Sequence, residues 1–194
     1  SKHVMFAGEG AEEFAGEIEV ERVNRDYVYT EKRYQAWKRA VQEGAEGQSG
    51  LINPVRREDR KYGTVGCVAL DQDGMLVAGT STGGMTNKRY GRVGDVSIIG
   101  SGTYASDVVA VSMTGWGEKI MKAVSGHAVS SYMKFRDATL RHAGDYLLNE
   151  VLDPGDAGMI AVDRYGNTYM DMNTSGMFRG KSDSEGNREV AIWN

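Results

Sequence analysis

The sequence predicts an α+β fold in which helices are layered on a largely antiparallel sheet. β-prone apolar runs come in pairs joined by short Asp/Gly turns, one pair before and one pair after a central stretch. The central stretch switches to helical periodicity. Strands, then helices, then strands in this order suit helices covering one face of a sheet. The chain also carries 26 glycines against 2 prolines. That is nearly twice the usual glycine share of ~7%, and with so few prolines the excess marks tight turns and close backbone approach. A length of 194 residues with 40% hydrophobic content is enough for one structural domain with a sizeable core.

Residues 11 to 48 are polar and charge-rich. Within them Tyr34, Trp37 and Val41 share a face at helical spacing, and Thr30 can cap a helix running to Gln42. Gly44 to Gly50 and the charge run Arg56 to Lys61 show no periodicity and are expected to form a mobile, solvated linker. At Gly63 the composition changes. Thr64 to Leu70 and Met75 to Ser81 read as two strands around an Asp71-Gln-Asp-Gly74 turn. Val108 to Met113 reads as a further strand. Met121, Val124, Ala128 and Tyr132 share one helix face. Leu140, Leu147 and Val151 share another, with Ala143 and Gly144 beside them, and Asp153-Pro154-Gly155 ends that helix. Met159 to Val162 and Thr168 to Met172 form the second hairpin, turning at Asp163 to Asn167.

Several function classes lose support at this level. A formal charge of −4 gives no bulk attraction to nucleic acid or an anionic membrane. No apolar run approaches the ~20 residues that span a bilayer, and the apolar part of Val4 to Ala7 is too short for a secretory signal. Cys67 is the only cysteine, which excludes an internal disulfide and fits a reducing, cytoplasmic setting. Its place in a strand with no histidine nearby in sequence favours a buried structural thiol over a nucleophile. His3, His127 and His142 show no metal-ligand spacing, so no metal site is expected. No phosphate-binding glycine loop follows a strand, and no cofactor is expected.

Three short clusters carry possible chemistry. Gly63-Thr64 marks the junction of linker and strand. A threonine hydroxyl needs a base beside it, and a threonine that begins a chain finds one in its own α-amine. A free α-amine, with a pKa of ~7.7–8.0, is partly unprotonated near neutrality. That chemistry requires cleavage between Gly63 and Thr64; the plain alternative is a strand start. The second cluster is Ser81 to Lys88 with Gly91-Arg92-Val93-Gly94-Asp95. Arg92 and Asp95 can grip a zwitterion, guanidinium on carboxylate and carboxylate on ammonium, or can form an ordinary surface ion pair. The third, Thr114-Gly115-Trp116-Gly117-Glu118, lies between a strand and a helix and suits either a developing oxyanion or a helix cap.

Together these clusters resemble the plant-type asparaginase and isoaspartyl peptidase family of N-terminal-nucleophile hydrolases. The likeness rests on Gly63-Thr-Val-Gly66, Ser81-Thr-Gly-Gly-Met-Thr-Asn-Lys88, Gly91-Arg-Val-Gly-Asp95, Gly102-Thr-Tyr-Ala105, Thr114-Gly-Trp-Gly-Glu118 and Asn173-Thr-Ser-Gly-Met177, in the family's order. Val4 to Glu12 resembles the later part of the family's α-subunit.

The resemblance implies an αββα sandwich. Because the family's N-terminal segment has no counterpart here, the sandwich is expected to lack its N-terminal strands. It implies residues 1–63 as an α-subunit-like segment and residues 64–194 as a β-subunit-like one, separated by autocleavage at Gly63–Thr64. Thr64 becomes the nucleophile toward L-asparagine or a β-aspartyl dipeptide, assisted by Thr82. Thr114 and Gly115 form the oxyanion hole, Arg92 holds the substrate α-carboxylate, Asp95 its α-amine, and Gly117 lines the site. A homodimer of processed units is the implied assembly. Two alternatives stay open: a glycosylasparaginase, and a non-catalytic, unprocessed fragment of the same fold.

Overall fold

The computed structural model describes residues 1–42 and 63–193, so the expected linker at 44–61 lies outside the described residues. The chain divides into two compact units, Ser1–Glu46 and Gly47–Asn194.

The first unit holds helix α1 (Gly8–Glu17), a 3-10 turn at Arg25–Val28 and helix α2 (Glu31–Gln42). Thr30 caps α2 as expected, its Oγ1 accepting from the Arg33 N–H at 3.4 Å. Neither helix has a buried residue. Local pairs supply their contacts: Phe6 stacks on Phe14 with centroids 4.5 Å apart, and Tyr34 stacks on Trp37 at 5.8 Å. Helix α1 has no counterpart among the expected elements, because its ten residues carry no strong apolar stripe.

In the second unit, strands β1 (Thr64–Leu70) and β2 (Leu76–Thr82) form an antiparallel hairpin. Asp71 staples its turn, with Oδ1 accepting from the N–H groups of Asp73 and Met75. A separate antiparallel sheet has the order β3 (Thr103–Ala105), β4 (Val109–Gly115), β5 (Ala157–Asp163), β6 (Thr168–Met172). Asp163 staples the β5–β6 turn in the same way, through Tyr165 and Asn167. A third hairpin, β7 (Arg179–Ser182) and β8 (Arg188–Ala191), repeats the device at Asp183.

Period-two alternation sorts the side chains of the four-stranded sheet. Val109, Val111 and Met113 of β4 oppose Asp163, Ala161 and Met159 of β5 in register. Val111, Met113, Met159 and Ala161 join Tyr169 of β6 in a core with Ile120, Val129, Leu140, Ala143, Leu147 and Leu148 from the helices. Full burial of the valine, leucine, isoleucine and methionine side chains among them contributes about 1.5–3 kcal/mol each. The other face of β4 meets the β1–β2 hairpin, where Ser112 Oγ and Thr80 Oγ1 lie 2.7 Å apart.

Four expectations are corrected here. The single helix through Met121 and Tyr132 is two: α3 (Gly117–Lys122) and α4 (Ser125–Arg136), with Val124 left-handed between them at φ 47°. The break arises because the first amides of α4, at Gly126 and His127, donate to the carbonyls of Ser101 and Gly100 in another segment. The following helix, α5 (Leu140–Tyr146), continues as a π-helical segment, Leu147–Val151, which turns Val151 out to solvent. Cys67 is exposed, not buried, because it lies on the outward face of β1. Arg92 and Asp95 are not a surface ion pair, since Asp95 is buried and Arg92 engages Glu118.

Candidate active site

One polar cavity collects most of the chemically capable residues. It is lined by Gly63, Thr64, Thr82, Gly84, Met85, Arg92, Gly94, Asp95 and Gly115. A second concavity, along β7 and β8 from Phe178 to Ile192, carries no nucleophile.

The hairpin register builds the first wall. Thr64 begins β1, Thr82 ends β2, and the two are direct partners across the ladder. The Thr64 hydroxyl donates to Thr82 Oγ1 at 3.2 Å, and the Thr82 hydroxyl donates to the Gly63 carbonyl oxygen at 3.2 Å. Thr82 Oγ1 also accepts from the Gly84 N–H at 3.0 Å. Lys88 supports that turn, with Nζ donating to the Gly83 carbonyl at 2.7 Å. The proton path thus runs from one threonine through the other to the carbonyl of the Gly63–Thr64 peptide bond.

The opposite wall is charged. Arg92 donates from Nε and Nη2 to the two carboxylate oxygens of Glu118, at 2.8 and 3.0 Å. Partial burial pushes Glu118 upward, but the Arg92 fork together with its own backbone N–H and the Trp116 side chain outweighs it and holds the carboxyl below its ordinary value. Asp95 is 7% exposed, and its Oδ2 has no hydrogen-bond partner among the described residues. Burial raises the Asp95 pKa and the Glu118 charge adds to the rise, while its own backbone N–H and the Arg92 charge oppose it. A buried carboxylate oxygen without a donor is costly. A cationic or N–H group from a ligand relieves that cost.

Close backbone approach joins the two walls. A Cβ at Gly117 would lie 2.7 Å from Asp95 Oδ1 and 2.9 Å from Arg92 Nη2, so only glycine lets α3 start against both groups. Gly115 has φ +138°, and a side chain there would overlap the Asp156 carbonyl. That carbonyl accepts from the Trp116 N–H at 2.7 Å and so fixes the turn from β4 into α3.

Of the expected site residues, Gly63, Thr64, Thr82, Arg92, Asp95 and Gly115 line one cavity. Gly117 packs behind Arg92 and Asp95. Thr114 is not among the lining residues; it sits one position before Gly115 and shares a strand face with Ser112. Residue-by-residue reading missed Glu118 as the Arg92 partner. The signal was present, since Glu118 closes the Thr114 to Glu118 cluster. Among the described residues no group of His, Cys, Asp and Glu side chains could hold a metal ion, and no helix is long and apolar enough to cross a membrane.

Comparison with known proteins adds a family match and three relatives. Residues 1–192 match the family described as asparaginase. The chain is 39% identical to the probable isoaspartyl peptidase/L-asparaginase 2 of Arabidopsis thaliana, covering 100% of this chain and 65% of that protein. It is 44% identical to the isoaspartyl peptidase of Escherichia coli K12, over 92% of this chain and 56% of that one. It is 36% identical to the plant-type L-asparaginase of Thermococcus kodakarensis, over 90% of this chain and 58% of that one. The chain therefore spans between about half and two thirds of the length of these relatives.

Proposed function

Because the chain belongs to the asparaginase family, we propose that it hydrolyses β-aspartyl amides, L-asparagine and isoaspartyl dipeptides, with Thr64 as nucleophile after cleavage at Gly63–Thr64. The observation that carries this reading is the hydroxyl path from Thr64 through Thr82 to the Gly63 carbonyl, at the rim of a cavity holding Arg92 and Asp95.

While the peptide bond is intact, the Thr64 nitrogen is an amide and cannot accept a proton. The Thr82 hydroxyl polarises the Gly63 carbonyl. Attack by Thr64 Oγ on the Gly63 carbonyl carbon forms an ester as the C–N bond breaks, and the hydroxyl proton passes to the leaving nitrogen. Water then cleaves the ester, leaving a Gly63 carboxylate and a free Thr64 amine. Cleavage separates residues 1–63 from residues 64–194.

The freed amine is the base the hydroxyl lacked. It takes the Thr64 proton as Oγ attacks the side-chain carbonyl carbon of the substrate. The tetrahedral oxyanion is assigned to the Thr114 hydroxyl and the Gly115 N–H. Collapse expels ammonia, or an amino acid from a dipeptide, which carries the proton away. Water completes the cycle by releasing aspartate. Arg92 meets the substrate α-carboxylate, and the orphaned Asp95 oxygen meets its α-ammonium.

The same reading places the two facing sheets and helices α3 to α5 within an αββα sandwich. The outward face of the β1–β2 hairpin, where Val65, Cys67 and Val77 are exposed, is then the seat of the second helical layer. A homodimer of processed units in the cytoplasm completes the proposal; light scattering and cell fractionation test those two points.

The decisive experiment is mass spectrometry of the purified protein after incubation, paired with an ammonia assay on L-asparagine. A fragment beginning at Thr64, together with ammonia release, is expected from wild type; Thr64→Ala gives neither. An intact chain that releases ammonia at full rate overturns the mechanism.

A further inference from the structure

One step along the strands from Thr64 and Thr82, the hairpin meets β4 through hydroxyl groups that the proposed chemistry leaves unused. Gly66 and Thr80 are register partners there, two residues after Thr64 and two before Thr82. Strand alternation puts them on the same inward face as the two threonines. Ser112 stands opposite, two residues before Thr114 and buried. Its Oγ lies 2.7 Å from Thr80 Oγ1, and the Thr80 hydroxyl also donates to the Gly102 carbonyl at 3.5 Å. That carbonyl accepts from the Met113 N–H at 2.8 Å, so both links tie the hairpin to β4. Gly66 leaves the room for this contact, because a Cβ there would overlap Ser112 Oγ.

We propose that Thr80 and Ser112 are positioning residues that set the spacing of the hairpin from β4, and so align Thr64 and Thr82 with Thr114 and Gly115. This rests on the threonine chemistry argued above and assigns two residues to its construction. Two hydrogen-bonded hydroxyl oxygens approach more closely than carbon contacts allow, since carbon atoms keep ~3.5–4.0 Å from one another. Replacing the bond by methyl contacts forces the strands apart by up to about 1 Å. The nucleophile and the assigned oxyanion donors begin two residues further along, only ~7 Å of extended chain away. A misplacement of ~1 Å at the reacting atoms can cost ~10²-fold in rate.

The test uses Thr80→Val, Thr80→Ser, and Thr80→Val combined with Ser112→Ala. Ammonia release from L-asparagine is referred to the amount of Thr64-initiated fragment, so incomplete cleavage does not count as slow turnover. Thr80→Val is expected to lower kcat about tenfold or more with KM within about threefold, because the change falls between nucleophile and oxyanion donors. Thr80→Ser keeps the hydroxyl and should hold kcat within about threefold of wild type. Thr80→Val alone also strands the buried Ser112 hydroxyl and should lower the melting temperature. The double variant removes both polar partners, a change nearly neutral for stability. It should melt close to wild type while kcat stays about tenfold down. A double variant whose kcat returns with its stability overturns the proposal, as does wild-type kcat in Thr80→Val or no recovery in Thr80→Ser. A wild type that releases no ammonia overturns the threonine chemistry instead. NMR of labelled threonine methyls then decides the spacing role: Ser112→Ala must shift the Thr64 and Thr82 signals on the facing hairpin, and unmoved signals overturn it.

Discussion

Thr64 and Thr82 face each other as register partners across the β1–β2 hairpin, with their hydroxyl oxygens 3.2 Å apart. Thr82 is the pivot of the pair. It accepts from Thr64 and from the Gly84 N–H, and it donates to the Gly63 carbonyl. Removing its hydroxyl takes away a polarising donor and a proton acceptor together. Thr82→Ala is expected to slow both appearance of the Thr64-initiated fragment and ammonia release by about 10²–10³-fold, the usual effect of losing one oriented donor. Thr82→Ser keeps the oxygen and should stay within roughly tenfold of wild type. Timed mass spectra and single-turnover ammonia assays give both numbers. Equal rates for the alanine and serine variants would remove Thr82 from the chemistry.

Asp95 ties pH to both binding and stability. Its pKa in the folded protein is raised above the ordinary 3.8, chiefly by burial. A raised carboxyl pKa favours the protonated fold, so the stability linked to Asp95 is fully present below the unfolded value. It is lost as pH rises through the folded one. Asp95→Asn should therefore melt higher than wild type at pH 7, and the gap should close below about pH 3.8. Binding runs the other way, because only the carboxylate holds an ammonium. The wild-type acid limb of kcat/KM is expected above the ordinary aspartate range, with Asp95→Asn lacking that limb and most of the affinity. Melting curves and pH–rate profiles on the same two proteins test the trade.

How far the residues alone disclosed this architecture depends on where the determining contact sits. The hairpin was legible from two apolar runs around Asp71-Gln-Asp-Gly74, but its second strand was expected to end at Ser81, and only the family resemblance set Thr82 beside Thr64. The Arg92–Glu118 fork was not legible. The partners are 26 residues apart, and nothing local says which of two nearby carboxylates a guanidinium takes. Cys67 came out exposed because alternation identifies two faces of a strand without saying which one is covered. The α3–α4 break was hidden for a similar reason: its cause lies in the carbonyls of Gly100 and Ser101. Strands β7 and β8 escaped notice because they are largely polar, with Lys181 and Glu189 paired at 3.0 Å.

Gly117 offers a test that separates binding from folding. Alanine suits a helix start better than glycine, by about 1 kcal/mol in helix interiors and less at the end. Its methyl, however, would stand 2.7 Å from Asp95 Oδ1 and 2.9 Å from Arg92 Nη2, forcing both to shift. Gly117→Ala is expected to leave the melting temperature within a few degrees of wild type while KM for L-asparagine rises about tenfold or more, equivalent to ~1.4 kcal/mol. A fall in kcat with KM unchanged would count against the assigned site.

Asn173 lies outside the cavity but governs its geometry through the β4–α3 turn. Its Oδ1 accepts from the Ala157 N–H at 2.9 Å, and its Nδ2 donates to the carbonyls of Leu148 and Asp153 at 2.6 and 3.1 Å. The amide therefore closes the loop that delivers the Asp156 carbonyl to the Trp116 N–H, beside Gly115. Asn173→Ala leaves three backbone groups without these partners and should cost about 2–4 kcal/mol, at ~1 kcal/mol for each bond with some desolvation added. Asn173→Asp is the sharper variant. It can still accept from Ala157, but it sets a carboxylate oxygen against two carbonyls that need a donor, so it should be no more stable than the alanine variant at pH 7. Lowering the pH until the new carboxyl protonates restores one donor and should recover part of the loss, whereas Asn173→Ala gains nothing from that change. Chemical denaturation at pH 7 and at pH 4 measures both effects, and equal pH responses in the two variants would refute the amide clamp.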